Sequence, residues 1–327
     1  MLCINVLLIC LNIAFSLVGL NEEADDGNVI MFWNLENFFD YSDGGTGESD
    51  SEFTPGGKRH WTSGRFYDKC RLIAKAIFWT GDRYGRIPDV IGVAEVENRS
   101  VLSRLLSSTG LRKYGYRVVH HDSGDRRGID VALLYRSDVF ELLDHSVTTP
   151  VFEDKKMSTR DILSVRLQRV SDGKVFDFIV NHHPSKFGGS MESGARRDAA
   201  MRTLCSVCDS LVRSDVDSYA GIIAMGDFND TPDAPQFSLL EGTLENATWD
   251  LFTKGEGTIR FEGKWDLIDM FLVSIPIFIS SVCEIPRIPF LMTRERKHPG
   301  EKPLRTYSGP RYLGGVSDHC PVVLRIF

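Results

Sequence analysis

The sequence has no regular cysteine framework and no evident boundary between domains. Seven cysteines occur among 327 residues; two fall within the first twenty, and the other five are irregularly spaced. This pattern excludes the disulfide framework that holds small secreted folds together. No stretch rich in proline and glycine divides the chain, and no internal repeat is present. We therefore predict one α/β domain over residues 21–327.

Signatures of several other enzyme classes are absent as well. There is no Walker A sequence and no protein-kinase motif set, which argues against transfer from a nucleoside triphosphate. The absence of G-x-S-x-G gives no support to a serine hydrolase, and the absence of H-E-x-x-H argues against a zinc-protease site. The formal net charge of -7 argues against a protein that coats nucleic acid through bulk charge, but it allows a nuclease with a local cationic groove.

The first twenty residues contain no charged side chain and are mostly apolar, and acidic residues follow at Glu22 and Glu23. A short apolar run in this position predicts a signal peptide over residues 1–20, and therefore a secreted or periplasmic protein. An uncleaved anchor helix is the alternative. No later segment is long and apolar enough to span a bilayer, so we expect no membrane span once the signal is removed.

Cys205 and Cys208 form a C-x-x-C pair inside a segment with helical spacing. No second cysteine pair or nearby histidine completes a zinc site. We interpret both as small apolar residues on the buried face of a helix rather than as a metal or redox motif.

Short apolar runs alternate with helical stretches along the chain. The predicted strands cover residues 29–33, 90–94, 131–135, 176–180, 221–225, 270–273 and 322–326. The predicted helices cover residues 64–79, 99–108 and 196–213. Residues 41–57, rich in glycine, serine and aspartate, predict a mobile surface loop, and residues 291–315 predict a second long loop.

Positive charge is concentrated in two stretches. Residues 58–75 contain six basic residues against one acidic residue, and residues 287–311 contain seven against two. Such asymmetry favours a polyanionic ligand, with an ordinary solvated surface as the alternative. Arg65, Arg127 and Arg305 are the predicted substrate-binding residues, and Trp61 is available to stack on a base.

Polar side chains cluster at the ends of five predicted strands, where a rigid sheet presents side chains to a ligand. The clusters are Asn34 with Glu36, Glu95 with Glu97, Asn181 with His182 and His183, Asp227 with Asn229 and Asp230, and Asp318 with His319. Carboxylate and amide oxygens suit a hard cation, Mg²⁺ or else Mn²⁺ or Ca²⁺. Together with histidines and cationic loops they indicate phosphoryl chemistry, in which a carboxylate activates water and cations stabilise the transition state.

The motifs that carry these residues resemble those of the endonuclease/exonuclease/phosphatase superfamily from about residue 29 to the C-terminus. They are Phe32-Trp33-Asn34-Leu35-Glu36-Asn37, Ala94-Glu95-Val96-Glu97-Asn98, Val180-Asn181-His182-His183, Gly226-Asp227-Phe228-Asn229, Leu267-Ile268-Asp269-Met270 and Ser317-Asp318-His319-Cys320-Pro321-Val322. The resemblance implies a four-layered α/β sandwich, in which two mixed β-sheets pack face to face with helices outside.

The resemblance also implies a role for each matching residue. Asn34, Glu95 and Asp318 would be metal ligands. Asp227 would orient or deprotonate the attacking water, and Asn229 would hold the nucleophile and the phosphate. His319, oriented by Asp269, would contact the scissile phosphate, and His182 would be a second phosphate-stabilising histidine. His183 and Asp266 are the competing residues for the places of His182 and Asp269.

These observations predict magnesium-dependent hydrolysis of phosphodiester bonds by a monomeric secreted or periplasmic endonuclease with nucleic acid as substrate. A phosphoesterase for inositol phosphates or phospholipid head groups is the alternative, which the net charge of -7 keeps open. A non-catalytic binding protein on the same scaffold is expected to lack a central residue. All of the central residues are present, namely Asn34, Glu95, Asp227, Asn229, Asp318 and His319.

Overall fold

The computed structural model describes residues 27–45, 47–186, 190–212 and 218–327. The predicted signal peptide over residues 1–20 lies outside these described residues. Among the residues described, no helix has the length and apolar character needed to cross a membrane.

The described helices and strands run in the following order. The helices are α1 (Ser63–Tyr84), α2 (Arg99–Ser108), α3 (Ser190–Val212), α4 (Trp249–Thr253) and α5 (Ile275–Ile279). The strands are β1 (Asn28–Phe38), β2 (Val90–Val96), β3 (Tyr116–His120), β4 (Asp130–Arg136), β5 (Phe140–Thr148), β6 (Val151–Phe152), β7 (Lys155–Lys156), β8 (Ile162–Arg169), β9 (Val175–His182), β10 (Tyr219–Asp227), β11 (Glu245–Asn246), β12 (Ile259–Phe261), β13 (Lys264–Asp266), β14 (Asp269–Val273), β15 (Ser281–Glu284), β16 (Met292–Arg294), β17 (Glu301–Pro303), β18 (Tyr307–Ser308), β19 (Arg311–Tyr312) and β20 (Val322–Ile326). Short 3₁₀ turns cover Asp50–Glu52, Gly110–Lys113, Pro235–Leu240 and Pro289–Leu291.

Twelve of these strands form two six-stranded mixed sheets. Sheet A has the order β15-β20-β1-β2-β4-β3, and only its β1–β2 pair is parallel. Sheet B has the order β11-β14-β10-β9-β8-β5, and only its β9–β10 pair is parallel. The remaining described strands form small two-stranded hairpins.

Three apolar clusters separate the layers, and β1 shows how the sequence produces them. Because side chains alternate along a strand, Ile30 and Phe32 face sheet B while Met31 and Trp33 face the helices. The outer clusters lie between sheet A and helices α1 and α2, and between sheet B and α3; the central cluster lies between the two sheets. The predicted four-layered sandwich is therefore confirmed.

Each of the predicted strands and helices is present; the first and third helices begin earlier than predicted, and the second has the predicted bounds. The first helix continues beyond the predicted end to Tyr84, where Gly85 adopts φ 72° and closes the helix in the left-handed conformation. The third begins at Ser190, and its predicted last position, 213, lies outside the described residues. In this helix Cys208 is buried and Cys205 is half-buried, as their interpretation as packing residues requires.

The two predicted long loops are more ordered than their composition suggests. In residues 41–57, of which position 46 is not described, Phe53 and Asp50 are buried, and an Asp50 carboxylate oxygen accepts hydrogen bonds from the Gly44 and Gly45 amides. The segment lies at the surface as predicted, and a buried carboxylate and an aromatic ring anchor it; its mobility stays a prediction. Residues 291–315 contain two hairpins, β16–β17 and β18–β19.

Candidate active site

The polar strand-end residues meet at one edge of the sandwich. Parallel strands end at the same edge, so the carboxyl ends of β1 and β2 in sheet A lie together, as do those of β9 and β10 in sheet B. A hydrogen bond of 3.0 Å from Asn34 Nδ2 to Asp227 Oδ2 joins the two sheets there. Because β20 is antiparallel to β1, Asp318 and His319 precede it at this same edge.

The backbone is strained where β1 and β2 reach this edge. The two strands stay in register up to Asn34 opposite Ala94 and then lose it. Glu36, Asn37 and Glu95 have φ values of 46°, 51° and 60°. Non-glycine residues avoid this left-handed region, at a cost of roughly 1–3 kcal/mol each, and such residues concentrate at functional sites. The bulges turn the Glu95 side chain out of the regular alternation of its strand.

The Gly226-Asp227-Phe228-Asn229 turn ends β10 and places Asp227. A Cβ atom at Gly226 would lie 2.4 Å from the Asn181 carbonyl oxygen, so only glycine lets β9 and β10 approach here. Phe228 is buried and anchors the turn. The Asn229 amide donates to Asp227 Oδ1 at 2.9 Å, and Asn229 itself has φ 52°. The turn thus fixes one oxygen of Asp227 and leaves the other to face the site.

Ser317 ties the Ser317-Asp318-His319 segment to β1. Its hydroxyl donates to the Asn34 carbonyl oxygen at 2.6 Å and accepts from the His319 amide at 3.0 Å. The Trp33 indole N–H donates to the His319 carbonyl oxygen at 2.9 Å. The motif is held at both ends by the strand that supplies Asn34.

Asp227 Oδ2 is the point on which the site converges. Besides Asn34, the Nε2 atoms of His182 and His319 lie 3.6 Å and 3.9 Å from it. Burial, with repulsion from Asp269, raises the pKa of Asp227 to about 7, although the charge of His319 opposes the shift. A carboxyl group with this pKa can take up and release a proton near neutral pH.

His319 forms a buried pair with Asp269. Its Nδ1 atom lies 2.7 Å from Asp269 Oδ2, so the carboxylate holds the imidazole through that nitrogen. Burial lowers the pKa of His319, but Asp269 outweighs burial and the pKa rises well above its usual value. Asp266, the competing residue in the sequence, is exposed on β13. The structure therefore brings Asp269 to the site and leaves Asp266 outside it.

The two adjacent histidines face different surroundings. His182 contacts Asp227 as described, and burial together with the positive charge of Arg160 holds its pKa well below the usual value. His183 packs against the Phe228 ring at 5.0 Å between centroids, and its carbonyl oxygen accepts from Asn229 Nδ2 at 3.0 Å. Of the two, His182 is the one whose imidazole is in position to meet a ligand.

Glu95 and Asp318 are paired with arginines at the opening of the site. Arg127 Nη2 lies 3.3 Å from Glu95 Oε2, which also accepts from the Asn37 amide at 2.8 Å. Burial raises the pKa of Glu95, but Arg127 and this amide outweigh it and hold the pKa below its usual value. Arg305 Nη2 lies 3.2 Å from Asp318 Oδ2. Two of the three predicted substrate-binding arginines are therefore in the site.

Glu36 and Lys69 complete this side of the site. Glu36 was predicted only as a member of a strand-end cluster, and Lys69 was not predicted. Arg305 Nε donates to Glu36 Oε1 at 2.8 Å, and the Thr306 amide donates to Oε2 at 3.0 Å. Burial and repulsion from Asp318 raise the pKa of Glu36 to about 7. The buried Lys69 ammonium donates to the Glu36 carbonyl oxygen at 2.6 Å, and burial lowers its pKa to about 8. Besides Glu36, a lysine among the apolar positions of α1 is the sequence signal that could have pointed to this network.

Arg160 is a further residue that sequence reasoning missed. Its Nη2 atom donates to the His183 carbonyl oxygen at 2.6 Å, and Nη1 lies 3.1 Å from Asp125 Oδ2. Asp125 Oδ1 in turn accepts from the Arg127 amide at 2.9 Å. One buried guanidinium thus joins the Arg127 loop to the end of β9. It lies in the short segment between β7 and β8, and no motif or periodic pattern in the sequence marked it.

The residues present fit a hard divalent cation. Glu95 and Asp318 offer carboxylates whose side chains are 13% and 34% exposed, so both are accessible from the opening of the site. Their present partners, Arg127 and Arg305, are more exposed, at 42% and 48%. Asn34 is placed less clearly as a ligand, because its Oδ1 atom accepts from the Glu36 amide at 2.9 Å. Oxygen donors of this kind suit Mg²⁺.

Asp227, Asp269 and His319 form a second group of possible metal ligands. One ligand atom from each lies within 4.8 Å of the other two. These atoms already partner one another through the 2.7 Å contact between His319 and Asp269. We therefore favour the more open carboxylates of Glu95 and Asp318 as the place for a cation.

Arg65 and Trp61 lie outside the candidate active site and do not make the substrate contacts predicted for them. Arg65 Nη1 donates to the carbonyl oxygens of Arg59 and His60 at 2.9 Å and 2.8 Å, and its guanidinium lies 4.4 Å from the Tyr312 ring centroid. These contacts hold the loop before α1 rather than the acidic cluster. Trp61 is fully buried and donates to the backbone, so the prediction that it stacks on a base was wrong.

Substituting Arg127 and Arg65 separates a substrate contact from a structural one. We expect Arg127→Ala to raise KM for a phosphate ester about tenfold, because a charge-assisted hydrogen bond to phosphate is lost. Arg65→Ala should leave KM unchanged and lower the free energy of unfolding by about 1 kcal/mol, because its contacts are internal. Steady-state kinetics and urea unfolding of both variants measure this. A larger rise in KM for Arg65→Ala would contradict the assignment.

Comparisons with known proteins agree with this geometry. A family model described as the endonuclease/exonuclease/phosphatase family matches residues 29–327. No curated protein matches the sequence of this chain.

Solved structures with the same fold include a mannosyl-6-phosphatase from Bacteroides thetaiotaomicron (17% identity, TM-score 0.58, covering 92% of this chain and 100% of that one). They also include the human Nocturnin catalytic domain with bound sulfate (16% identity, TM-score 0.57, covering 93% and 95%). A third is D. rerio TDP2 complexed with single-strand DNA product (13% identity, TM-score 0.54, covering 93% and 100%). At these identities the likeness concerns the fold.

Proposed function

Because the chain belongs to the endonuclease/exonuclease/phosphatase family, we propose that it is a divalent-metal-dependent hydrolase of phosphate esters. The single observation that carries the proposal is the arrangement around Asp227. One buried carboxylate faces His182 and His319, and His319 is held through its other nitrogen by Asp269. This arrangement combines a proton acceptor with a cationic group at the same point.

In this proposal Asp227 takes a proton from the attacking water. Its pKa of about 7 leaves the group ionised above neutral pH and close to the optimum for proton transfer. The Asn229 amide and Asn34 Nδ2 hold its two oxygens, so the carboxylate cannot turn away from the water. The proton acceptor is oriented before the substrate arrives, so the entropy cost of orienting it is not part of the activation barrier.

His319 supplies positive charge to the phosphate in the transition state. Asp269 keeps the pKa of His319 well above its usual value, which favours the protonated imidazole. The Nε2 atom, the nitrogen not bound by Asp269, faces Asp227 and Asp318 and is free to donate to a phosphoryl oxygen placed between them. His182 adds a second imidazole on the other side of Asp227.

Glu95 and Asp318 would hold the divalent cation, which we propose to be Mg²⁺. When bound, the cation neutralises phosphate charge. Arg127 and Arg305, which pair with these carboxylates, would then turn to the non-bridging oxygens of the substrate.

We propose nucleic acid as the substrate class and endonucleolytic cleavage of a phosphodiester as the reaction. The basic loop of residues 287–311 supports this proposal, because its Arg305 side chain contacts Glu36 in the candidate active site. D. rerio TDP2, a protein of the same fold, is complexed with single-strand DNA product. The basic stretch of residues 58–75 supports a nucleic-acid substrate less strongly than its positive charge suggests.

Pairing in residues 58–75 keeps a phosphorylated small molecule as the second candidate substrate. Lys69 is buried, Arg71 pairs with Asp68, Lys58 pairs with Glu52, and Arg65 is engaged as described. These charges leave little of the extended cationic track that a polynucleotide needs. A mannosyl-6-phosphatase among the structures of the same fold agrees with this alternative.

A substrate panel decides between these two candidates. Plasmid DNA, RNA, sphingomyelin, an inositol phosphate and a sugar phosphate are compared at equal phosphate concentration with magnesium present. We expect the highest kcat/KM for the nucleic acids, falling with salt as phosphate contacts are screened. Faster hydrolysis of a sugar or inositol phosphate would replace nucleic acid with the small-molecule substrate.

We also propose export to the periplasm or the exterior of the cell, which the uncharged apolar residues 1–20 support. Mass spectrometry of the exported protein should find an N-terminus near residue 21. A retained residue 1 would favour the uncleaved anchor.

A further inference from the structure

Three side chains with metal-binding atoms meet where β3 and β4 are joined, outside the set of candidate active-site residues. They are His120, Asp122 and Asp130, called here the hairpin cluster, and one ligand atom from each lies within 4.8 Å of the other two. His120 is the last residue of β3, and Asp130 is the first residue of β4. The proposed function gives none of the three a role.

The pairing of β3 with β4 brings these side chains together. His120 lies opposite Ala132 in the antiparallel pair. Asp130 precedes Ala132 by two residues, and because side chains alternate along a strand it shares the face of Ala132 and His120. Asp122 follows His120 by two residues, and its Oδ1 atom lies 4.0 Å from His120 Nδ1. The register of the hairpin therefore builds the cluster.

The contact between His120 and Asp130 lacks the geometry of a hydrogen bond. His120 Nε2 lies 3.2 Å from Asp130 Oδ2, and the two side chains are only 3% and 6% exposed. Among the residues that the structure describes, this nitrogen has no hydrogen-bond partner. Two ligand atoms of a tetrahedral zinc ion, each about 2.0–2.2 Å from the metal, lie roughly 3.3 Å apart. The spacing suits two ligands of one ion better than an ion pair.

The two carboxylates of the cluster have no basic partner other than His120. Within the described parts of the chain, no lysine or arginine nitrogen lies within 4.0 Å of an Asp122 or Asp130 oxygen. Asp130 Oδ1 accepts from the Ser123 amide at 2.9 Å, which leaves Oδ2 for a cation. Carboxylates this close repel each other, and a divalent cation removes the repulsion.

The donor atoms select zinc over the magnesium proposed for the active site. One imidazole nitrogen with two carboxylate oxygens suits Zn²⁺, whereas Mg²⁺ takes oxygen ligands and water. The Asp122 side chain is 83% exposed, so the cluster is open to solvent on that side and offers an entry path. Three protein ligands leave the fourth tetrahedral position to water.

We propose that the hairpin cluster is a further divalent-metal site, for zinc, which fastens the base of the loop between β3 and β4. Residues 121–129 form this loop, and it carries Arg127 to Glu95. Asp122 and Asp130 stand near its two ends, so one ion bound to both closes the loop. The zinc ion holds the loop in place and takes no part in the hydrolysis.

Isothermal titration of the full chain with Zn²⁺ tests the proposal, after removal of metal and with Mg²⁺ present in large excess. The test variants are Asp122→Asn, which changes an exposed side chain, and His120→Gln, whose folding is checked by circular dichroism because His120 is buried. The matched control is Asp154→Asn, an exposed aspartate outside the cluster. Glu95→Gln reports on zinc that enters the candidate active site instead.

We expect wild type, Asp154→Asn and Glu95→Gln to share a zinc site that both test variants weaken at least about tenfold. Changes to groups that merely orient metal ligands lower affinity by about 10–100-fold, so loss of a ligand should cost no less. Zinc should also slow amide hydrogen exchange in residues 121–129 of wild type, because the ion closes that loop.

Three results would overturn the proposal. They are an unchanged zinc affinity in Asp122→Asn, a zinc site that only Glu95→Gln abolishes, and no zinc binding by wild type. The titration measures binding rather than turnover, so none of these results bears on the proposed hydrolysis of phosphate esters.

Discussion

Asp227→Asn is expected to lower kcat for phosphate-ester hydrolysis by about 10²–10⁴-fold, the usual contribution of a positioned general base. The substitution keeps an oxygen to accept from the Asn229 amide and removes the capacity to take up a proton, although an amide nitrogen then replaces the oxygen that accepts from Asn34 Nδ2. Folding should survive, since neutralising a buried carboxylate beside Asp269 relieves a repulsion. Circular dichroism and thermal unfolding provide that check alongside the kinetics.

The pH dependence of kcat/KM tests the same role of Asp227. The pKa of Asp227 is about 7, and the base acts only when ionised, so kcat/KM for wild type should rise as the pH increases through neutrality. A bound divalent cation would move this limb to lower pH, because positive charge favours the carboxylate. The residual activity of Asp227→Asn should lack the limb. Asp233→Asn, an exposed aspartate on the following turn, is the matched control and should retain both the activity and the limb.

Asp269→Asn should lower kcat by roughly 10²-fold, whereas Asp266→Asn should leave it unchanged. Asp269 contributes a buried hydrogen bond to a charged partner, and loss of such a bond costs about 1.5–3 kcal/mol. Asp266 is exposed and lies only three residues away in the sequence. The two variants therefore make the same chemical change in the same segment, but only Asp269 contacts His319. Equal losses in both variants would show that the effect is structural.

The pH dependence separates orientation of His319 from a general loss of packing. Asp269 is the group that raises the pKa of His319 most strongly, so its neutralisation lowers that pKa. His319 acts while protonated, and activity falls as the pH rises through its pKa. The falling limb of the profile should therefore move to lower pH in Asp269→Asn and stay in place in Asp266→Asn. An unmoved limb in Asp269→Asn would assign the pKa to another group.

The sequence predicted the architecture and the central residues because both depend on local patterns. Alternation along β1 separates the residues that face helices from those that face the second sheet. Polar residues at the end of an apolar strand can meet only at a sheet edge, which brings Asn34 and Asp227 into hydrogen-bond contact. The family's motif order then singled out Asp269 over Asp266.

The sequence did not predict contacts between distant residues that neither pattern nor motif marks. Arg160 joins Asp125 to the end of β9, and Lys69 joins α1 to the Glu36 backbone, across separations that no periodicity encodes. The basic stretches show that sequence can also predict a contact that the structure does not contain. Arg65 was read from charge as a phosphate contact, but its hydrogen bonds go to backbone carbonyls. Charge in a sequence does not reveal whether a partner already satisfies it.

Removal and return of the metal measure whether the protein is a divalent-metal-dependent phosphoesterase. Wild type and Glu95→Gln are compared on a chromogenic phosphodiester after treatment with EDTA and then with increasing Mg²⁺. We expect wild type to fall to background in EDTA and to recover fully. Glu95→Gln should recover only at much higher Mg²⁺, since one carboxylate ligand is lost. Full activity of wild type in EDTA would contradict metal dependence.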